Sequence, residues 1–135
     1  MSWTITITAA VAPTVISLSI IRGKTAIYYI DFLNADGTPF PLTGAVLYFY
    51  ASNGSFAINK SSLIGGSPAI NQGIVITDVA NGLATLTILP ADTMTLGAQG
   101  TYGMPCELTM TGGSPAGTLD MATGNLTISP NVGIP

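Results

Sequence analysis

At 135 residues the chain is one domain's worth, and long enough to bury a core. Apolar residues make up 47% of it and charged residues only 7%, with three cations, six carboxylates and a net charge of −3. That balance excludes disorder, which pairs low hydrophobicity with high charge, and argues against nucleic-acid binding, which is driven by cations neutralising phosphates.

In chain order, Trp3, Ile5 and Ile7 alternate with Thr4, Thr6 and Thr8, a period of two that predicts a strand. The apolar stretch over residues 9–21 is broken by Pro13, Thr14, Ser17 and Ser19 and falls short of the ~20 residues a membrane helix needs. It also lacks the basic flank and the continuous apolar run of a signal peptide. Transmembrane barrels need more and longer alternating segments than this chain offers. We therefore expect a soluble chain made in the cytoplasm and not secreted by the general route. Within that stretch Ile16, Leu18 and Ile20 alternate with serines, a second strand. Arg22-Gly23-Lys24 holds two of the three cations and reads as a turn. Gly23-Lys24-Thr25 matches the end of a phosphate loop, but Leu18 stands where its first glycine belongs and a strand pattern follows.

Residues 25–33 predict a strand facing inward through Tyr28, Ile30 and Phe32, or else through the opposite set. Asn34-Ala35-Asp36-Gly37 is a turn that tolerates positive φ. It lacks the further carboxylates of a calcium loop. Pro39 and Pro41 block ladder pairing, so a crossover is expected there. Residues 45–51, with Val46, Leu47, Tyr48, Phe49 and Tyr50, suggest a strand covered on both faces. Residues 52–73 are rich in glycine and predict a long loop or a poorly formed edge hairpin. Residues 74–77 and 83–89 are strands joined by Asp78-Val79-Ala80-Asn81-Gly82, where Asn81-Gly82 suits a tight hairpin. Leu86 and Ile88 should face away from Thr85 and Thr87. Pro90-Ala91-Asp92-Thr93-Met94 predicts one helical turn, with Asp92 near its start. In residues 101–110 one face carries Tyr102, Met104, Cys106, Leu108 and Met110, while Pro105 suggests an edge or a bulge. A turn at residues 111–115 precedes a short strand at 119–121, and a second turn at 122–124 separates that strand from a closing one at 126–129.

The expectation is all-β: an antiparallel immunoglobulin-like β-sandwich of roughly eight strands, one structural domain, with residues 1–21 as an N-terminal strand or assembly arm and 22–135 as the sandwich proper. No constellation carries catalysis. Without histidine there is no Ser-His-Asp or Cys-His arrangement and almost no route to a zinc site. Asp31, Asp36, Asp78, Asp92, Glu107 and Asp120 sit mostly beside turn residues, where bonding to local backbone is their ordinary role. We expect no catalytic residues, no cofactor and no metal. Cys106 reads as a small buried hydrophobe. Asn53-Gly54-Ser55, Asn59-Lys60-Ser61 and Asn125-Leu126-Thr127 match glycosylation acceptors, which mean little without secretion.

A surface so short of charge suggests that neighbours cover much of it. Five tyrosines cannot all face the core, and outward tyrosine suits a protein interface or a carbohydrate-binding face. The expected partner interface is Trp3, Ile5, Ile7, Tyr29, Tyr48 and Tyr50, with Arg22 and Lys24 beside it. Residues 2–12 could act as an arm adding a strand to a neighbour.

Arg22-Gly23-Lys24-Thr25 before an apolar strand, then Asn34-Ala35-Asp36-Gly37-Thr38-Pro39 and Pro41-Leu42-Thr43-Gly44-Ala45, resemble a family of bacteriophage modules. So do Gly73-Ile74-Val75-Ile76-Thr77-Asp78 with Asn81-Gly82, Leu89-Pro90-Ala91-Asp92-Thr93 and Gly100-Thr101-Tyr102. The chain is similar over residues 22–129 to the N-terminal domain of upper baseplate proteins of phages infecting Gram-positive bacteria, and to small virion proteins sharing that pattern. The resemblance implies a non-enzymatic, immunoglobulin-like virion structural protein. Its low charge and lack of a C-terminal receptor-binding extension point to a capsid decoration or cement protein. Its partners would be the major capsid protein or other virion proteins and copies of itself, a trimer being one arrangement, with no nucleic acid and no membrane. A baseplate or tail adaptor is the alternative, and a carbohydrate-binding or adhesin module the second.

Overall fold

The computed structural model describes residues 2–9, 13–53, 57–65, 70–93, 102–112 and 118–130. Among the described residues ten strands and one helical turn follow in order: β1 (Ser2–Ala9), β2 (Thr14–Ile21), β3 (Ala26–Asn34), β4 (Ala45–Ser52), β5 (Ala57–Gly65), β6 (Ile70–Gln72), β7 (Ile74–Asp78), β8 (Leu83–Ile88), α1 (Pro90–Thr93), β9 (Tyr102–Gly112) and β10 (Thr118–Ser129). They form a four-stranded sheet, β1-β3-β8-β7, and a six-stranded sheet, β2-β10-β9-β4-β5-β6. The sandwich of the sequence reading is therefore present. Most pairings are antiparallel, but β1 lies parallel to β3 and β2 parallel to β10. Alternation shows which face of a strand is buried and is silent about its neighbour's direction, so this mixed character was not readable from it.

The inward faces follow the period of two. Tyr28, Ile30 and Phe32 of β3 face Leu47, Phe49 and Ala51 of β4 across a core that also takes Met104, Cys106, Leu108 and Met110 of β9. Leu86 and Ile88 are buried while Thr85 and Thr87 are only half-buried, as the alternation requires. The Tyr28 hydroxyl spans the two layers to donate to the Ser19 carbonyl of β2 at 3.0 Å, and Trp3 stacks on the Tyr28 ring at a centroid distance of 4.9 Å.

Several local expectations need correction. β4 is covered on one face only: Tyr48 is half-buried and Tyr50 exposed, because nothing described packs over the outside of the larger sheet. Pro105 sits in an interior strand, yet the β4–β9 ladder stops at Ala51 and Cys106, so no amide is needed on that side at Pro105. Residues 52–73 contain the edge hairpin β5–β6, with β5 nine residues long. Ala10–Ala12, Gly113–Pro115, Met94, Thr101 and Gly54–Ser55 of the predicted segments lie outside the described residues.

Two turns close one end of the sandwich. At Asn34–Thr38, the Gly37 amide donates to the Asn34 carbonyl at 2.9 Å, and Asp36 accepts from both the amide and the hydroxyl of Thr38. In the β7–β8 hairpin, Asp78 accepts from the backbone amide and side-chain amide of Asn81, and Gly82 takes φ +67°. Any Cβ on Gly82 would press on the carbonyl oxygens of Phe32 and Phe40, so glycine is needed for both conformation and space. The opposite end holds the Arg22-Gly23-Lys24 turn, where the Gly23 amide donates to the buried Thr93 hydroxyl of α1 at 2.8 Å.

Candidate functional site

The inside of the sandwich offers little chemistry. Among the described residues no group of three His, Cys, Asp or Glu side chains could hold a metal ion, and no helix is long and apolar enough to cross a membrane. Asp36 and Asp78 are held below the usual carboxylate range by the hydrogen bonds of Thr38 and Asn81, which stabilise their charged forms. They are turn locks. Asp92 is engaged by Lys60, at 2.6 Å, and by the Leu89 amide.

Cys106 is buried, and desolvation pushes its thiol up to about 11. Because the thiolate is the reactive form, alkylation of the native protein at pH 8 should run roughly a hundredfold slower than in denaturant. Mass spectrometry of iodoacetamide-treated samples would measure the ratio. Burial likewise raises Tyr28 to about 12. Both groups ionise more readily in the unfolded chain. Their contribution to stability is therefore complete below about pH 9 and is lost as pH climbs through 11 to 12. Thermal melts across that window should show a steady fall in Tm, and Tyr28→Phe should flatten its upper part.

What remains as working surface is two outer faces, two ends and the sheet edges. The outer face of the smaller sheet carries Thr4, Tyr29, Thr85 and Val75 in one cross-strand row and Thr6, Asp31 and Leu83 in the next. Tyr29, Val75 and Leu83 are exposed. A shallow hollow of about 200 Å³ opens there beside Thr4, Tyr29, Asp31 and Leu83. The outer face of the larger sheet aligns Val15, Thr123, Glu107, Tyr50 and Asn59. A hollow of about 240 Å³ lies beside Tyr50, Ser52, Pro105, Glu107 and Thr123.

The residues expected to form one interface are thus divided. Tyr29 faces out from one sheet, Tyr48 and Tyr50 from the other, and Arg22 and Lys24 sit in the turn at one end. Trp3 and Ile5 are partly buried against the core, and Ile7, 1% exposed, lies within it. The reason is that β1 does not project. It runs along β3 in an unbroken register from Ser2–Ile27 to Ala9–Asn34 and turns its apolar side into the sandwich. Residues 2–9 are built into the chain's own sheet, so deleting them would strip the β3 edge and remove Ile7 from the core.

Features missed by the sequence reading lie at the ends and edges. Charge is polarised along the strands: Asp36 and Asp78 belong to the turns where β3 ends, whereas Arg22 and Lys24 precede its start. The Lys60–Asp92 ion pair joins an edge strand of the larger sheet to α1. The lone acid in the predicted helical turn was a visible signal for the second partner, but nothing local marked the first.

In comparisons with known proteins, no family model matches the chain, and no curated protein matches it in sequence. Among solved structures the chain is similar to the N-terminal domain of phage TP901-1 ORF48, with a TM-score of 0.55 and 10% sequence identity. The alignment covers 95% of this chain and 98% of that one, so the likeness extends over nearly the whole sandwich.

Proposed function

We propose that the chain is a non-enzymatic structural module of a bacteriophage particle, working by packing against other virion proteins. The observation that carries this reading is the nearly end-to-end structural likeness to the N-terminal domain of phage TP901-1 ORF48. The surface supports it. Of nine charged residues, Lys60 and Asp92 neutralise each other, Asp36 and Asp78 lock turns, and only Asp31 interrupts the central rows of the smaller sheet's outer face. Broad neutral β-faces can be desolvated against a partner without stranding charge.

Two placements fit. The shortage of charge supports capsid decoration, and the resemblance of the turn motifs to upper baseplate proteins supports a baseplate or tail adaptor. Copy number separates them, since a shell takes many copies per particle and a baseplate only a small ring's worth. Quantitative mass spectrometry of purified particles, with electron microscopy to locate the chain, tests the proposal. The expected result is a stoichiometric particle component; particles that consistently lack the chain would overturn the virion reading.

A further inference from the structure

The four sheet edges are protected unequally. Open strand edges template pairing with other chains, and proteins blunt them with short strands, bulges, prolines or charges. On one side of the sandwich the edges are blunted: β6 has three residues, and β7 has five with a register shift between Ile76 and Asp78. On the other side lie β1 and β2, each eight residues long, each in unbroken register with its neighbour, and neither containing a charge or a proline.

Hydrogen bonds show which backbone groups face these open edges. Backbone groups alternate sides along a strand. The Thr8 amide and carbonyl both meet the Thr14 hydroxyl, at 3.1 and 3.3 Å, so the β1 edge is plugged at that end. In β2 the alternation continues into Arg22, whose amide donates to Ser129 of β10. Val15, Ser17 and Ser19 therefore turn their amides and carbonyls away from β10. The Ser19 carbonyl takes the Tyr28 hydroxyl, while no described residue takes the groups of Val15 and Ser17. Val15 is also 82% exposed, well beyond the other large apolar side chains.

We infer that β2 pairs antiparallel with β2 of a second copy about a two-fold axis at Ser17, joining the two six-stranded sheets into one. Such an interface sets each residue against its own surroundings, so a charge near the axis would repel itself. β2 has none. The pairing sets Val15 opposite the second copy's Ser19 and keeps Ile16, Leu18 and Ile20 of both chains facing inward. It also reverses the strand axis, bringing the Arg22 and Lys24 end of each copy toward the carboxylate end of the other. The inference concerns the isolated chain and does not depend on where in a particle it sits.

Sedimentation velocity of the purified protein should show a dimer. Ser17→Pro removes an amide that faces the open edge and spares the β10 ladder, so it should give a folded monomer with nearly unchanged Tm. Should that variant fail to fold, Ser17→Lys makes the same test by placing a cation against its own copy. Ser17→Cys should cross-link the dimer on mild oxidation, because directly opposed hydrogen-bonded residues lie about 5.5 Å apart at Cα, within disulfide range. A wild-type chain that sediments as a monomer overturns the inference, as does a dimer that persists in the proline and lysine variants. Particle incorporation is a separate readout, so either proposal can fail alone.

Discussion

Gly124→Ala is expected to cost about 4 kcal/mol of stability, lowering Tm by roughly 12 °C, because the added methyl has nowhere to go. Gly124 lies in β10 between Ile16 of β2 and Cys106 of β9. A Cβ there would overlap the Ile16 carbonyl oxygen and crowd its carbon and amide nitrogen. These are backbone atoms of a paired strand, so no rotamer change relieves the clash. β2 must move off β10, taking Ile16, Leu18 and Ile20 out of the core. Gly103→Ala in neighbouring β9 is the control. A Cβ at Gly103 meets nothing within 4 Å, so its melting curve should stay close to wild type. Differential scanning calorimetry of the two variants checks both halves.

Asp92→Ala should destabilise the chain by about 3 kcal/mol, and Lys60→Met by only about 1. Asp92 does two things. At the start of α1 its carboxylate accepts the Leu89 amide at 2.7 Å while the Asp92 amide donates to the Leu89 carbonyl, a reciprocal cap, with Pro90 at the first helical position. The same carboxylate oxygen receives the Lys60 ammonium. The lysine side chain is 10% exposed and lies against Gly73, where a Cβ would strike its Cδ. Removing the acid therefore leaves a largely buried cation without its partner and also uncaps α1. Replacing the lysine by methionine leaves an apolar chain of similar length over the same glycine and keeps the cap intact. Denaturant titrations of both single variants and the double variant would show the order. In the double variant the loss should be smaller than the sum, since the stranded cation is gone.

The pair also shows why part of the candidate surface was not legible in advance. Asp92 was readable as a helix-start acid because capping is local. Lys60 lay in a glycine-rich stretch with no periodic signal, and its partner is brought near only by the closure of β5 against β7. Ile7 is a parallel case. Its alternation with threonine correctly marked one apolar face, but that face suits a neighbour's sheet as well as the chain's own. The tyrosines divided for a related reason. Tyr29, Tyr48 and Tyr50 were all expected at one interface, yet which of two outward faces each occupied depends on the sheet its strand joins.

The chain's own alternation determined where most strands lie and, where threonine or serine alternates with apolar residues, which side is apolar, because a side-chain period of two is a property of a few consecutive residues. Leu86 and Ile88 opposite Thr85 and Thr87 follow from that alone, whereas β3 left two registers open until packing chose Tyr28, Ile30 and Phe32, and the turn expected at residues 122–124 lies inside the continuous strand β10. The absence of histidine likewise removed histidine-dependent catalysis before any fold was known. Tertiary structure decided the order of strands, the parallel seating of β1 and β2, and hence which edges stay open. Those are non-local choices: backbone amides and carbonyls are alike in every strand, and only the packing of the whole core selects which partner each one meets.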